Sequence, residues 1–210
     1  MKIRWHGHAC FEVSNSVTVV TDPHDGKSIG ISPPVLKADI VLVSHDHFDH
    51  NCIRIVKGLS VDCVNKAGER TVKGVKIRGI GSYHDESQGM KRGSNIIFKF
   101  ELEDVKFCHL GDLGHLLDDV IIKEIGDVDI LFTPIGSVFT IDADKAWEIT
   151  KAINPKVVIP MHYRVGGLSL NIKPPEPFLE KSERVYKKGN EVDFEKEDLP
   201  EELEVWFFSL

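Results

Sequence analysis

The sequence predicts a layered α/β fold with a functional site gathered along one edge of its sheets. Three observations point there. Short, β-branched apolar runs such as Asp39–Ser44, Asp129–Pro134 and Lys156–Met161 read as buried strands. Helical patterns alternate with them, above all Asp142–Asn154 with Asp142 as its N-cap and Pro155 beyond its end. Finally, four strand-like runs end on a metal-competent residue: Ser44 before His45, Tyr83 before His84, Leu110-Gly111 before Asp112 and Met161 before His162. Strand ends in a layered fold converge on one edge, the usual place for a ligand site.

In chain order, Lys2–Ser14 and Val17–Thr21 are expected as strands around the turn Ser14-Asn15-Ser16, the first bent at Gly7. His24–Pro34 is loop-like. Asn51–Gly58 reads as a short helix, Val61–Val64 as a strand, and Thr71–Gly79 as a hairpin turning at Lys73-Gly74. Gly81–Asp85 is a strand ending in histidine, followed by a polar loop to Ser94 in which Lys91-Arg92 could meet an anion or simply be solvated. Asn95–Glu101 and Val105–His109 form a hairpin around Glu103-Asp104. Asp118–Ile125 looks helical. A proline-rich loop and a short helix precede closing hairpin-like strands near Arg184–Tyr186 and Leu203–Phe208.

Composition sets the frame. With 210 residues, 41% hydrophobic and 28% charged, the chain fits one globular domain over residues 1–210. A net charge of -7 weighs against a nucleic-acid binder with a broad basic face. No apolar run approaches a membrane span, and Met1–Trp5 leads straight into strand-like sequence without a signal peptide. The four cysteines are scattered without a CxxC pair, so they are expected reduced in a cytoplasmic protein. The apolar tail Val205–Phe208 packs internally or at a homo-oligomer interface.

The centre of the sequence is His45-Asp46-His47-Phe48-Asp49-His50, three imidazoles and two carboxylates in six residues. These are the ligands that zinc and its divalent neighbours use. Its alternative is a solvated turn with incidental histidines, but the rest of the chain supplies matching partners. One ion would take His45, His47 and His84, a second Asp49, His50 and His162, and Asp112 could bridge them. Three protein ligands and a bridge leave room for water on each ion, the mark of a catalytic site. His109 is a further candidate, as ligand or as partner of one. Asp22 is either a carboxylate behind a metal-bound imidazole or an Asx-type turn before Pro23. His8 is placed beside the pocket, with a capped core histidine as its alternative.

The six-residue run matches the HxHxDH signature of the metallo-β-lactamase superfamily, and His84, Asp112 and His162 fall in that family's order. Gly7–Phe11, Thr21–Pro23, Thr133–Gly136 and Pro160–Tyr163 resemble the branch of L-ascorbate-6-phosphate lactonase and related metal-dependent hydrolases. A more distant similarity runs to the phospholipase D that acts on N-acyl-phosphatidylethanolamines. The resemblance implies a four-layer αβ/βα sandwich with its metals at one edge. It separates the chain from class B β-lactamases that bind two zincs, which carry a cysteine where Asp112 stands. It also separates it from branches that need a helical substrate domain or an inserted cap.

The implied activity is hydrolysis of an ester, lactone or phosphodiester, by a hydroxide shared between two divalent ions. Zinc leads, with manganese, iron or nickel as alternatives. Asp49 is expected to move a proton, and Tyr163, Tyr83 and Arg164 to stabilise an oxyanion or contact a small substrate, an anionic one included; packing is their alternative. Two other classes compete: a metal-dependent binding or sensing protein without turnover, and a di-iron redox protein with a separate flavin partner.

Overall fold

The computed structural model describes residues 1–210. The first sheet is built from β1 (Lys2–Trp5), β2 (Phe11–Ser14), β3 (Thr18–Thr21), β4 (Ile40–Leu42) and β5 (Asp62–Val64). The second holds β6 (Gly68–Val72), β7 (Val75–Tyr83), β8 (Ser94–Leu102), β9 (Val105–His109), β10 (Ile130–Pro134), β11 (Val157–Met161) and β12 (Val185–Lys187). The chain then returns to the first sheet with β13 (Glu191–Asp193) and ends in the second with β14 (Glu204–Phe207). The strand orders are β13-β1-β2-β3-β4-β5 and β12-β14-β11-β10-β9-β8-β7-β6. Hairpins give antiparallel pairs, whereas β3–β4–β5 and β9–β10–β11 run parallel.

An aromatic core joins the sheets. Phe11 of β2 meets Phe132 of β10 with ring centroids 4.5 Å apart, and Phe107 and Phe100 continue the layer. All four rings are fully buried, each stabilising the fold by roughly 1.5–3 kcal/mol of transfer free energy. Helices α1 (Asp119–Ile125), α2 (Ala143–Ile153) and α3 (Glu176–Leu179) accompany the second sheet. Asp118 and Asp142 each accept a backbone N–H from the third residue on, as N-caps do. Asn154 ends α2 in the left-handed region. Ala146, Ile149, Thr150 and Ile153 form the buried stripe of α2, which packs on β10.

The structure departs from the sequence expectations in several places: the closing strands β12 and β14 pair parallel instead of forming a hairpin, and β7 runs unbroken through Gly79 and Gly81 to Tyr83. Lys2–Ser14 is not one bent strand but two antiparallel ones, because Gly7 and His8 both take positive φ and reverse the chain. Asn51–Gly58 holds only a 3-10 turn at Ile53–Ile55. Ile53, Ile55 and Val56 instead pack on the small cluster of Leu36, Val41 and Val43 over the outer side of the first sheet, and β-branched residues give little helical preference to resist this. There the layer is thus loops and single turns rather than a helix. The edge strand β13, three polar-flanked residues, carried no readable signal.

Candidate metal centre

Every predicted ligand lies at a strand end. The stretch Ser44–His50 follows β4, His84 follows β7, Asp112 follows β9 and His162 follows β11. The loop between β1 and β2 adds His8. The backbone is bent sharply where it delivers these groups. His8, Asp22 and His162 have φ of 55°, 38° and 55°, in the left-handed region that non-glycine residues rarely enter. The first and last are tied together, since the His162 N–H donates to the His8 carbonyl at 3.1 Å.

The geometry gathers two pockets around one oxygen. His45, His47 and His84 offer donor atoms within 4.8 Å of one another, and so do His8, Asp49, His50 and His162. Between the groups, Oδ2 of Asp112 stands 3.1 Å from Nε2 of His162, 3.2 Å from His84, 3.4 Å from His50 and 3.8 Å from His45. One carboxylate oxygen therefore faces imidazoles of both pockets. Asp49 Oδ2 is 3.7 Å from His50 Nε2.

The donors suit divalent cations. His45 Nε2, His50 Nε2 and Asp112 Oδ1 are buried without a hydrogen-bond partner, whereas buried polar atoms are almost always partnered. Converging, orphaned imidazole and carboxylate atoms of this kind are what zinc or its neighbours would satisfy. A third group, Asp22 with His45 and His50, is of a different kind. Asp22 Oδ1 accepts the Ser44 N–H at 2.7 Å, and Oδ2 accepts the Ser44 hydroxyl at 2.7 Å and the His50 Nδ1–H at 3.1 Å. Ser44, having given its proton to Asp22, accepts from Nδ1 of His45 at 2.9 Å. This network lies behind the pockets and turns Nε2 of both rings toward them.

Charge follows the same pattern. Burial disfavours the charged Asp112 carboxyl, but His162 and His50 outweigh it and hold the group well below the usual carboxylate range. Burial likewise opposes charge on His50, yet Asp112 and Asp22 raise it well above an ordinary histidine. Burial pushes His45 down to about 3, keeping it neutral and able to ligate. His8 is also pushed down to about 3 by burial, and its Nε2 sits 3.1 Å from Asp49 Oδ2. Burial opposes ionisation of Asp49, but the His8 hydrogen bond and the charges of His50 and His8 prevail and lower it.

The remaining candidates divide. His109 is not free to ligate: Nε2–H donates to the Ala9 carbonyl at 3.1 Å and Nδ1 accepts the Gly111 N–H at 3.2 Å. The oxyanion expectation for Tyr163 is corrected. Its ring packs between Trp5 and Phe207, and its hydroxyl donates to the Phe208 carbonyl. Burial raises its pKa far above an ordinary phenol. Arg164 is exposed without a side-chain hydrogen bond, and Tyr83 is partly exposed beside His115. Three site residues had no sequence signal. Ser44 and Asn95 are single polar residues at strand ends, and buried His24 holds the His6 and Gly7 carbonyls from a loop. Ser44 adjoins His45 in sequence, but its bond to Asp22, like the contacts of Asn95 and His24, comes from tertiary register alone.

Two packed sheets with an HxHxDH loop and ordered single ligands at one edge define a metallo-β-lactamase-type protein. The sequence profile of the β-lactamase superfamily domain matches residues 2–162, and the chain belongs to that superfamily. A UPF0173 metal-dependent hydrolase from Thermoplasma acidophilum is 32% identical over 192 residues, covering 80% of this chain and 85% of the relative. One from Archaeoglobus fulgidus is 30% identical, covering 92% of this chain and 94% of the relative. A Thermotoga maritima structure, described as a candidate zinc-dependent hydrolase of the metallo-β-lactamase superfamily, is 38% identical with a TM-score of 0.83. That match covers 99% of this chain and 97% of the other. No helix is long and apolar enough to cross a membrane.

Proposed function

We propose that the chain is a metal-dependent hydrolase working with two divalent ions, zinc first among them. His45, His47 and His84 would hold one, Asp49, His50 and His162 the other, and Asp112 lies where it would serve both. The observation that carries this reading is the Asp112 carboxylate itself, with Nε2 atoms of His45, His50, His84 and His162 around a single oxygen. A group so placed fits a bridge between neighbouring cations, and membership of a family whose relatives are named metal-dependent hydrolases supports it.

When bound, two such ions supply Lewis acidity and make water a nucleophile near neutral pH. The chain's own residues do the rest. Asp22 and Ser44 fix the ring orientation of His50 and His45. His8 donates to one oxygen of Asp49, keeping that carboxylate ionised and able to receive a proton from the attacking water. Exposed Lys91 and Arg164 remain available to a small anionic substrate, whereas the Arg92 guanidinium lies over the Phe139 ring, 4.7 Å from its centroid. The bond cleaved is an ester, a lactone or a phosphodiester, with the lactonase reading resting on branch resemblance.

The test is elemental analysis of the purified protein beside hydrolysis assays on a lactone panel and on bis(p-nitrophenyl) phosphate. About two zinc or manganese ions per chain, with turnover lost in His45→Ala and Asp112→Ala, would support the reading and identify the bond class. Full metal occupancy without turnover on either panel would favour a binding protein, and two irons would favour redox chemistry.

A further inference from the structure

We infer that Asn95 is a positioning residue for Asp112, holding the proposed bridge between the two ion pockets; the inference rests on the two-ion reading above. Asn95 is buried near the start of β8, opposite Ser82 of β7. Its amide nitrogen donates to the Leu110 carbonyl at 2.9 Å and to the Ser82 hydroxyl oxygen at 2.8 Å. Its oxygen accepts the Asp112 N–H at 2.9 Å. A carbonyl on one side and an N–H on the other leave the amide one orientation.

The side chain thereby grips the backbone on both sides of Gly111. The β8–β9 ladder ends at the pair Phe98–His109, so no strand backbone of β8 pairs with the Gly111 turn. The carboxamide takes that place, offering the donor and the acceptor a strand would have offered. Gly111 has φ of +59°, and a Cβ there would fall 2.3 Å from the Asn95 oxygen and 2.6 Å from Ser44 Cβ. The turn thus needs glycine and Asn95 together. The next residue of β8 acts on the other ligand loop, because the Ile96 N–H donates to the Ser44 carbonyl at 2.9 Å, immediately before His45. Asn95 and Ile96 hold the loop of the bridge against the loop of the histidine motif. Partners one step behind metal ligands commonly govern affinity by roughly 10–100-fold.

The experiment loads the full chain and its N95L, N95D and S82A variants with manganese(II). It reads ions per chain, affinity by chelator competition, exchange coupling between the ions by electron paramagnetic resonance, and melting temperature without metal. The parent is expected to take up two coupled ions. N95L should bind manganese at least about tenfold more weakly and lose coupling, since the bridge is displaced. N95D keeps the size of the side chain and the acceptor for the Asp112 N–H but no donor for Leu110, so it should weaken binding in the same direction and decides the matter if N95L does not fold. S82A removes a neighbouring buried hydrogen bond while leaving Leu110 and Asp112 clasped, so it should melt earlier yet bind like the parent. Parent-like affinity and coupling in both Asn95 variants would overturn the inference. So would metal loss in S82A matching its lost melting temperature, which would make the effect merely structural. A parent that takes up a single ion overturns the two-ion reading instead, and Asn95 is then judged on affinity for that ion.

Discussion

Nδ1 of His50 gives its hydrogen to Oδ2 of Asp22 across 3.1 Å, and both groups are buried. The pair links a turn after β3 to the last residue of the HxHxDH motif, and it leaves Nε2 of His50 facing Asp112. Replacing Asp22 with Asn keeps the shape but lets the amide present a donor to the imidazole N–H. The D22N variant should bind metal roughly 10–100-fold more weakly while still filling at saturating metal. Competition against a fluorescent chelator measures this, and parent affinity would remove Asp22 from the site.

Tyr163→Phe should separate packing from chemistry. The change leaves the buried Phe208 carbonyl without its donor, at a cost of about 1–3 kcal/mol. Urea denaturation should report that loss while kcat on any hydrolysed substrate stays within about twofold, near the scale of a 0.4 kcal/mol change. A large fall in kcat at unchanged stability would return the hydroxyl to the reaction.

Acid should weaken the metal-free fold partly through His24, a residue outside the ligand set. Its Nε2–H faces the His6 and Gly7 carbonyls, and its Nδ1 accepts the Gly26 N–H, so only the neutral ring fits. Burial accordingly pushes His24 down from 6.5 to about 4. A histidine depressed by folding contributes stability that is complete above the unfolded value and is lost as pH falls toward the folded one. Between pH 7 and pH 5 the parent should therefore lose about 2 kcal/mol more than His24→Asn, whose side chain does not titrate. Equal losses in urea titrations at the two pH values would contradict this.

Thiol labelling should find one fast cysteine. Cys63 is exposed, while Cys10, Cys52 and Cys108 are buried. Burial pushes Cys108 up to about 12 and Cys10 well above an ordinary thiol. Ellman's reagent should modify about one thiol per native chain and all four after denaturation. Rapid native labelling that persists in Cys63→Ser would show the burial pattern to be wrong.

How much was legible in the sequence depended on whether a group carried its own local pattern. His45, His47, Asp49 and His50 announced themselves by density, and His84, Asp112 and His162 by following strand-like runs; the structure brings these seven side chains together. Tyr163 adjoined a ligand in sequence, but successive residues at a strand end point apart, and its ring went into the core. Ser44, Asn95 and His24 act through partners up to twenty-two residues away, across sheet registers that no periodicity encodes. The helix expected at Asn51–Gly58 failed because its apolar residues found a cluster to cover, and tertiary packing overrode a weak local preference.

The proposed ligands come from both sheets: His45 to His50 from the loop after β4, and His84, Asp112 and His162 from the ends of β7, β9 and β11. Ions held there would therefore act as a staple, closing loops of many tens of residues between two sheets otherwise joined by packing and a few hydrogen bonds such as His162 to His8 and Ile96 to Ser44. Because the site exists only when the sheets are closed, the ions would stabilise the folded chain by binding it alone. The staple also makes separation of the sheets and release of metal a single event. A hydrolase built this way would lose its reagent at the moment its architecture opens, so no partly unfolded form would keep an exposed, reactive centre.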